Sequence, residues 1–248
     1  MNSIQLLTIM KRIAKIVLSI LGAILLLIVA VLLQKVEPVL QKAILPIPYS
    51  FDDTLANHTY DLDSLKRIIG TNKGLPPGFE IAGAIAYSAY PELKDVEINM
   101  VFMNGGAPME ARPEIKTLFG LRKNRRYLIL LSNEQPSYFE PILLRSLPFD
   151  AQVGVLAHEL GHIVFYEQLN TLQLGKWGLN YVRNADFRAR HERSTDLMPV
   201  YHGLGSQIYQ YAYFVRKDPT CKAFYEEGKD FMDKYYMTDD EISAAWNE

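Results

Sequence analysis

The sequence predicts an α+β domain carried behind an N-terminal transmembrane helix. Three observations predict it. Strand-like segments gather between residues 79 and 134, and helical ones follow to the end of the chain, an order that argues for α+β rather than alternating α/β. An uncharged apolar run stands near the N-terminus. With 248 residues, 49% of them hydrophobic, the remainder is large enough to bury one sizeable core.

The run "IVLSILGAILLLIVAVLL" covers residues 16–33. At 1.5 Å per residue it makes a helix of about 27 Å, close to the roughly 30 Å of a hydrocarbon core. It is long for a signal peptide, and "IVAVLLQKVEP" offers no small-residue cleavage site, so the helix is expected to stay uncleaved. Lys11, Arg12 and Lys15 precede it, which favours a cytoplasmic N-terminus and a domain on the other side of the bilayer. The expected organisation is a cytoplasmic segment (1–15), a transmembrane anchor (16–34), a proline-punctuated juxtamembrane stalk (35–50) and the main domain (51–248). The chain is thus read as a single-pass membrane protein with the lipid bilayer as one partner.

Residues 1–48 hold five of the 26 basic side chains and one of the 28 acidic ones, leaving 21 and 27 for the rest. A main domain with that acidic excess is not expected to bind nucleic acid. Cys221 is the only cysteine, so no intrachain disulfide can form.

Along the main domain, residues 61–70 read as a short helix ended by Gly70. Residues 79–90 and 95–103 have strand character, separated by Pro91, and 104–113 read as loop. The basic run at 122–126 reads as a solvated turn before the clearest strand, 125–134. Asp150 can cap a helix running to about Leu174, with Gly175 stopping it and "GKWGLN" as a connector. Residues 185–201 are helical, with Pro199 as a possible kink point. Two more helices follow, and "TDDE" at 238–241 fits a capping box for a last one.

The stretch "VGVLAHELGHIVFYEQ" places His158 and His162 four residues apart, one turn along one helix face, where both imidazoles can reach a single ion. Glu159 sits about 100° round the helix, placed to overlook that ion without binding it; this is the H-E-x-x-H pattern of zinc hydrolases. The surrounding residues are apolar, and buried histidines and a buried glutamate are costly there unless paired or metal-bound. Gly161 is unfavourable in a helix and suggests a close neighbour. A catalytic zinc site needs a third protein ligand. In "HERSTD", Glu192 and Asp196 share a face. Glu192 is assigned as the ligand, and Asp196 as the acceptor for the spare N–H of His158. His191 and His202 are rival ligands.

"VGVLAHELGHI" followed by E-x-x-x-D resembles the gluzincin metallopeptidases, most of all the branch with the heat-shock protease HtpX and the CAAX prenyl proteases. The resemblance runs from Asp150 to Gly203. The chain departs from that branch at Ser194 and Thr195, and in having one membrane span where those enzymes commonly have several. The resemblance implies a zincin-like fold: a small mixed sheet packed on an active-site helix, then a helical lobe. It implies one Zn²⁺ ion and zinc metalloendopeptidase activity on a peptide or protein substrate. Peptide bonds would be hydrolysed by a zinc-activated water with Glu159 as general base. The substrate would lie along an edge strand, for which 125–134 is the candidate. His202 is expected to stabilise the oxyanion, with Tyr201 and Tyr209 as rivals. Two further readings are a non-catalytic, zinc-stabilised membrane adaptor and a zinc hydrolase of a non-peptide amide.

Overall fold

Helix α1 (Leu62–Ile69) starts where the Asp61 side chain accepts the Asp63 N–H, and Gly70 ends it at φ 89°, a left-handed turn that suits glycine. It belongs to a computed structural model that describes residues 12–13, 15–23, 26, 61–118, 120–134 and 137–247. The expected stalk, most of the cytoplasmic segment and much of the anchor lie outside these residues. The described residues between 12 and 26 are helical and exposed. Among the described residues no helix is long and apolar enough to cross a membrane.

After the two-residue strand β1 (Lys73–Gly74) comes helix α2 (Glu80–Ser88). This corrects the strand expected at 79–90. Ala82 through Tyr87 are all buried, so the segment lacks the polar face that would reveal its period, and its alanines favour helix. Strands β2 (Glu97–Asn104), β3 (Met109–Pro113) and β4 (Arg126–Glu134) complete a four-stranded sheet of order β1-β2-β4-β3. β2 runs parallel to both β1 and β4, while β3 is antiparallel to β4. The sheet is therefore mixed. β4 lies inside it, and one of the two edges belongs to β3, in the stretch expected to be loop.

Helix α3 (Phe149–Glu167) carries the H-E-x-x-H stretch and is buried along almost its whole length. It packs against α2 and β3 on the sheet side. On the other side it meets α5 (Ala185–Tyr201) and α6 (Gly205–Lys217). Pro148 is its N-cap; Asp150, expected in that role, lies inside the first turn. The helix ends sooner than expected because Arg125, only 3% exposed, donates to the carbonyls of Tyr166 (3.2 Å) and Leu169 (2.9 Å). A cation there suits the negative end of the helix, so this member of the basic run is a structural group rather than a solvated one. Asn170 then opens helix α4 (Thr171–Arg183) with a capping box to Gln173, and the expected "GKWGLN" connector is helical. Helices α7 (Lys222–Tyr235) and α8 (Asp239–Trp246) close the lobe, the latter with the Thr238–Glu241 capping box.

Two glycines let α3 approach its neighbours. A Cβ on Gly161 would stand 3.0 Å from Met198 Cβ and 3.1 Å from Thr195 Cγ2, both on α5. A Cβ on Gly154 would stand 2.2 Å from the backbone oxygen of Gln207 on α6, an atom that can only move with its helix. Gly154→Ala is therefore expected to destabilise the fold by about 2–3 kcal/mol, the scale of overpacking a tight core. Chemical denaturation of the variant checks this; a stabilised variant would contradict the close α3–α6 contact.

Candidate metal centre

One turn of α3 separates His158 from His162, and their rings stand 4.8 Å apart between centroids, nearly perpendicular. Helix α5 brings Glu192 to them. Its Oε2 lies 3.4 Å from His158 Nε2 and 3.6 Å from His162 Nε2, and the three ligand atoms all fall within 4.8 Å of one another. Ligands about 2.0–2.2 Å from a tetrahedral zinc stand roughly 3.4 Å apart, so this triad fits such an ion. All three residues are buried.

The Nε2 atoms converge because each Nδ1 is held elsewhere. His158 Nδ1–H donates to Asp196 Oδ1 at 2.8 Å, the contact expected of Asp196, and Asp196 Oδ2 accepts the Met237 backbone N–H at 2.7 Å. His162 Nδ1 lies 3.0 Å from His191 Nε2. His191 sits among the rings of Phe165, Trp177 and Tyr181. Burial first, then the neighbouring His162, pushes its pKa down to about 3, so it stays neutral and accepts the His162 proton. The third candidate ligand has its own partner: the Tyr181 hydroxyl donates to Glu192 Oε1, leaving Oε2 free to face an ion. Such outer partners fix ring orientation and ligand basicity. If the triad holds zinc, Asp196→Asn and Tyr181→Phe are each expected to weaken its binding by about 10–100-fold. Competition with a calibrated chelator measures this, and native affinity in either variant would remove that contact from the centre.

Sequence reasoning missed His191 and Tyr181 as supports. Their offsets carry no motif, and Tyr181 sits on α4, whose middle is the stretch expected to be a connector.

The electrostatics suit a cation. Burial alone would raise the Glu192 carboxyl, but His162 and the two imidazole hydrogen bonds outweigh it and hold it well below the usual carboxylate range. Burial would likewise lower His158, but hydrogen bonds to Asp196 and Glu192 overcome it and raise this imidazole. Glu159 differs. Burial raises it, and His162 and His158 offset this only in part. Its Oε2 is buried and, among the described residues, has no hydrogen-bond partner. Three buried carboxyl groups around two imidazoles are costly without a positive charge among them.

A cavity of about 500 Å³ opens against His158, Glu159 and Asp196. The loop into β3, from Gly106 to Met109, forms part of its wall. The edge strand at this centre is thus β3. The expected candidate, 125–134, is the interior strand β4, whose two sides are already paired with β2 and β3.

His202 is not at this centre, which corrects the expectation for it. Following the end of α5, it turns away: Nδ1 bonds to Met198 O at 2.7 Å, Nε2 to Glu92 Oε1 at 2.7 Å, and its ring stacks on Tyr90 at 4.1 Å. Both nitrogens are engaged and it does not line the cavity. Tyr201 and Tyr209 do not line it either, whereas Tyr211 and Tyr236 do. The Tyr236 ring lies 6.1 Å from His158, and burial raises its hydroxyl well above the ordinary value, so it remains a proton donor.

Comparison with models of known protein families, with characterised proteins and with solved structures found no match to this chain.

Proposed function

We propose that this protein is a membrane-anchored zinc metallopeptidase. The observation that carries the reading is the convergence of His158, His162 and Glu192 beside a buried Glu159 carboxyl oxygen that has no partner among the described residues. A zinc ion held by the triad would supply Lewis acidity to a water and to the substrate carbonyl. Glu159 takes the proton from that water and returns it to the leaving amine; its raised carboxyl is better matched to that exchange near neutral pH than an ordinary glutamate. Asp196 and His191 keep the two imidazoles in the tautomer whose Nε2 is free to ligate. The Tyr236 hydroxyl, on the cavity wall, is the donor we assign to the oxyanion. An extended substrate would add to the outer side of β3, beside α3.

A purely structural centre has no use for a general base, so Glu159 argues against the adaptor reading. The anchor rests on the N-terminal helical residues. Ile16, Val17, Leu18, Ile20 and Leu21 are all exposed, and positions 100° apart carry that apolar surface round the helix. The basic residues before it support a cytoplasmic N-terminus and an extracytoplasmic domain. Incubating the zinc-loaded full-length chain with a peptide library and sequencing the products tests the activity. Zinc-dependent cleavage is expected; a zinc-loaded chain that cuts no peptide and no denatured protein would contradict it and leave a non-peptide amide as substrate.

A further inference from the structure

The cavity beside the metal centre has one wall built by a single stripe of α7. Phe224, Gly228, Phe231 and Met232 stand at helical spacing on it, and all four line the cavity. Three of these are large and apolar. The fourth is a glycine in the middle of a helix, where glycine is disfavoured relative to alanine. Nothing in the fold requires it. Its φ is not in the left-handed region, and a Cβ built there meets nothing nearer than the Tyr138 hydroxyl at 3.7 Å. Gly154 and Gly161 are glycines because another helix presses on them. Gly228 has only the cavity in front of it.

The remaining walls are mostly apolar. Phe139, Ile142 and Ile208 continue the apolar surface. The acids on the lining, Glu159 and Asp196, both belong to the metal end. The two cations on it are Arg188 and Arg216. Arg188 lies against the rings of Tyr181 (5.1 Å), Phe231 (5.1 Å) and Tyr235 (4.6 Å). Arg216 pairs with Asp233 at 3.4 Å. A lysine or arginine side chain entering this space would meet two guanidinium groups, and the acids on the lining, Glu159 and Asp196, lie only at the metal end. A large uncharged one would bury its surface against aromatic rings.

We infer that this cavity is the specificity pocket of the enzyme, that it takes a bulky apolar side chain next to the scissile bond and rejects basic ones, and that Gly228 sets its depth. The inference rests on the peptidase reading. At about 500 Å³ the cavity has room for an aromatic or long aliphatic side chain. A side chain at Gly228 would project into the same space.

The test uses the zinc-loaded full-length chain in lipid nanodiscs and two readouts. In the first, matched peptides carry Phe, Leu, Ala or Lys at the preferred position. Phe and Leu are expected to exceed Ala and Lys in kcat/KM by about 10-fold or more. Gly228→Leu is expected to lower kcat/KM on the Phe and Leu peptides by about 10-fold more than on the Ala peptide, and Gly228→Ala should fall between. In the second, benzyl and methyl hydroxamates are titrated calorimetrically, which requires no turnover. The benzyl compound should bind about 10-fold tighter in the native chain and lose its advantage in Gly228→Leu. Absence of cleavage alone would count against the peptidase, and the hydroxamates would still decide the pocket. Equal binding of the two hydroxamates by the native chain, a preference for Lys, or an unchanged preference in a folded Gly228→Leu would overturn the inference.

Discussion

On the metallopeptidase reading, Glu159→Gln is expected to keep its zinc and to hydrolyse peptides about 10²–10⁴-fold more slowly than the native chain. The substitution preserves shape and removes the basic oxygen. Glu159 is not among the three converging ligand atoms, so the metal has no reason to leave. Among the described residues its Oε2 meets no donor, so no described hydrogen bond is lost at that oxygen. Removing a buried acid from beside two others should, if anything, stabilise the domain, because burial already strains that carboxylate toward its protonated form. Metal content by elemental analysis and turnover on one peptide decide the matter together. Zinc loss would make Glu159 a ligand. Full activity with zinc bound would make the base another group, or the centre a structural one.

Glu192→Ala is expected to lose the metal and, with it, the stabilisation that zinc confers. Glu192 Oε2 is the atom both imidazoles face, and removing it leaves two buried nitrogens and an open side. In the native chain, zinc at one hundred times its Kd should add about 2.7 kcal/mol to stability. The variant should show no such rise in Tm on adding zinc. One zinc bound per variant chain would move the third ligand to Asp196, the other carboxylate already in contact with His158.

The pH dependence follows from the same groups. Without metal, His158 is raised above its ordinary 6.5, so its contribution to stability is fully present below the unfolded value and is lost as pH rises through the folded one. Glu192 is held below its ordinary 4.5, so its contribution is present above that value and is lost as pH falls through the folded one. Zinc reverses the role of His158, since it needs the imidazole unprotonated. Zinc affinity is therefore expected to weaken steadily on titration from about pH 8.5 to about pH 5.5, and a flat profile would contradict ligation by His158.

What could be read in advance depended on whether the signal was local. His158, Glu159 and His162 were legible because one helical turn sets their spacing whatever surrounds them. The Glu192–Asp196 pair was legible for the same reason, and α5 runs between the boundaries the sequence predicts, from its Asn184 cap to Tyr201. The segment 79–90 was misread because its surface is buried all round, and a run of apolar residues has no visible period. The short strand β3 was missed because Gly105, Gly106 and two prolines mask it and its pairing partner lies some twenty residues ahead.

The roles of single side chains divide in the same way. Arg125 looks like one charge in a basic run; only the end of α3, forty residues away, makes it a buried cap. His202 follows Glu192 at a suggestive distance, yet the chain turns after Tyr201 and commits both its nitrogens to Met198 and Glu92. His191, a rival ligand by sequence, points off the face that carries Glu192. That same direction brings it to the back of His162.

The amino-acid order by itself determined the pair of helices that carry the candidate ligands and the identity of the acid beside them, because helical periodicity converts spacing along the chain into position on a face. Only the tertiary structure decided which strand borders the centre, which side chains stand behind the ligands and what cavity opens in front of them. Those depend on where separate elements meet, and the meeting is fixed by close packing across α3, not by any spacing within a single segment.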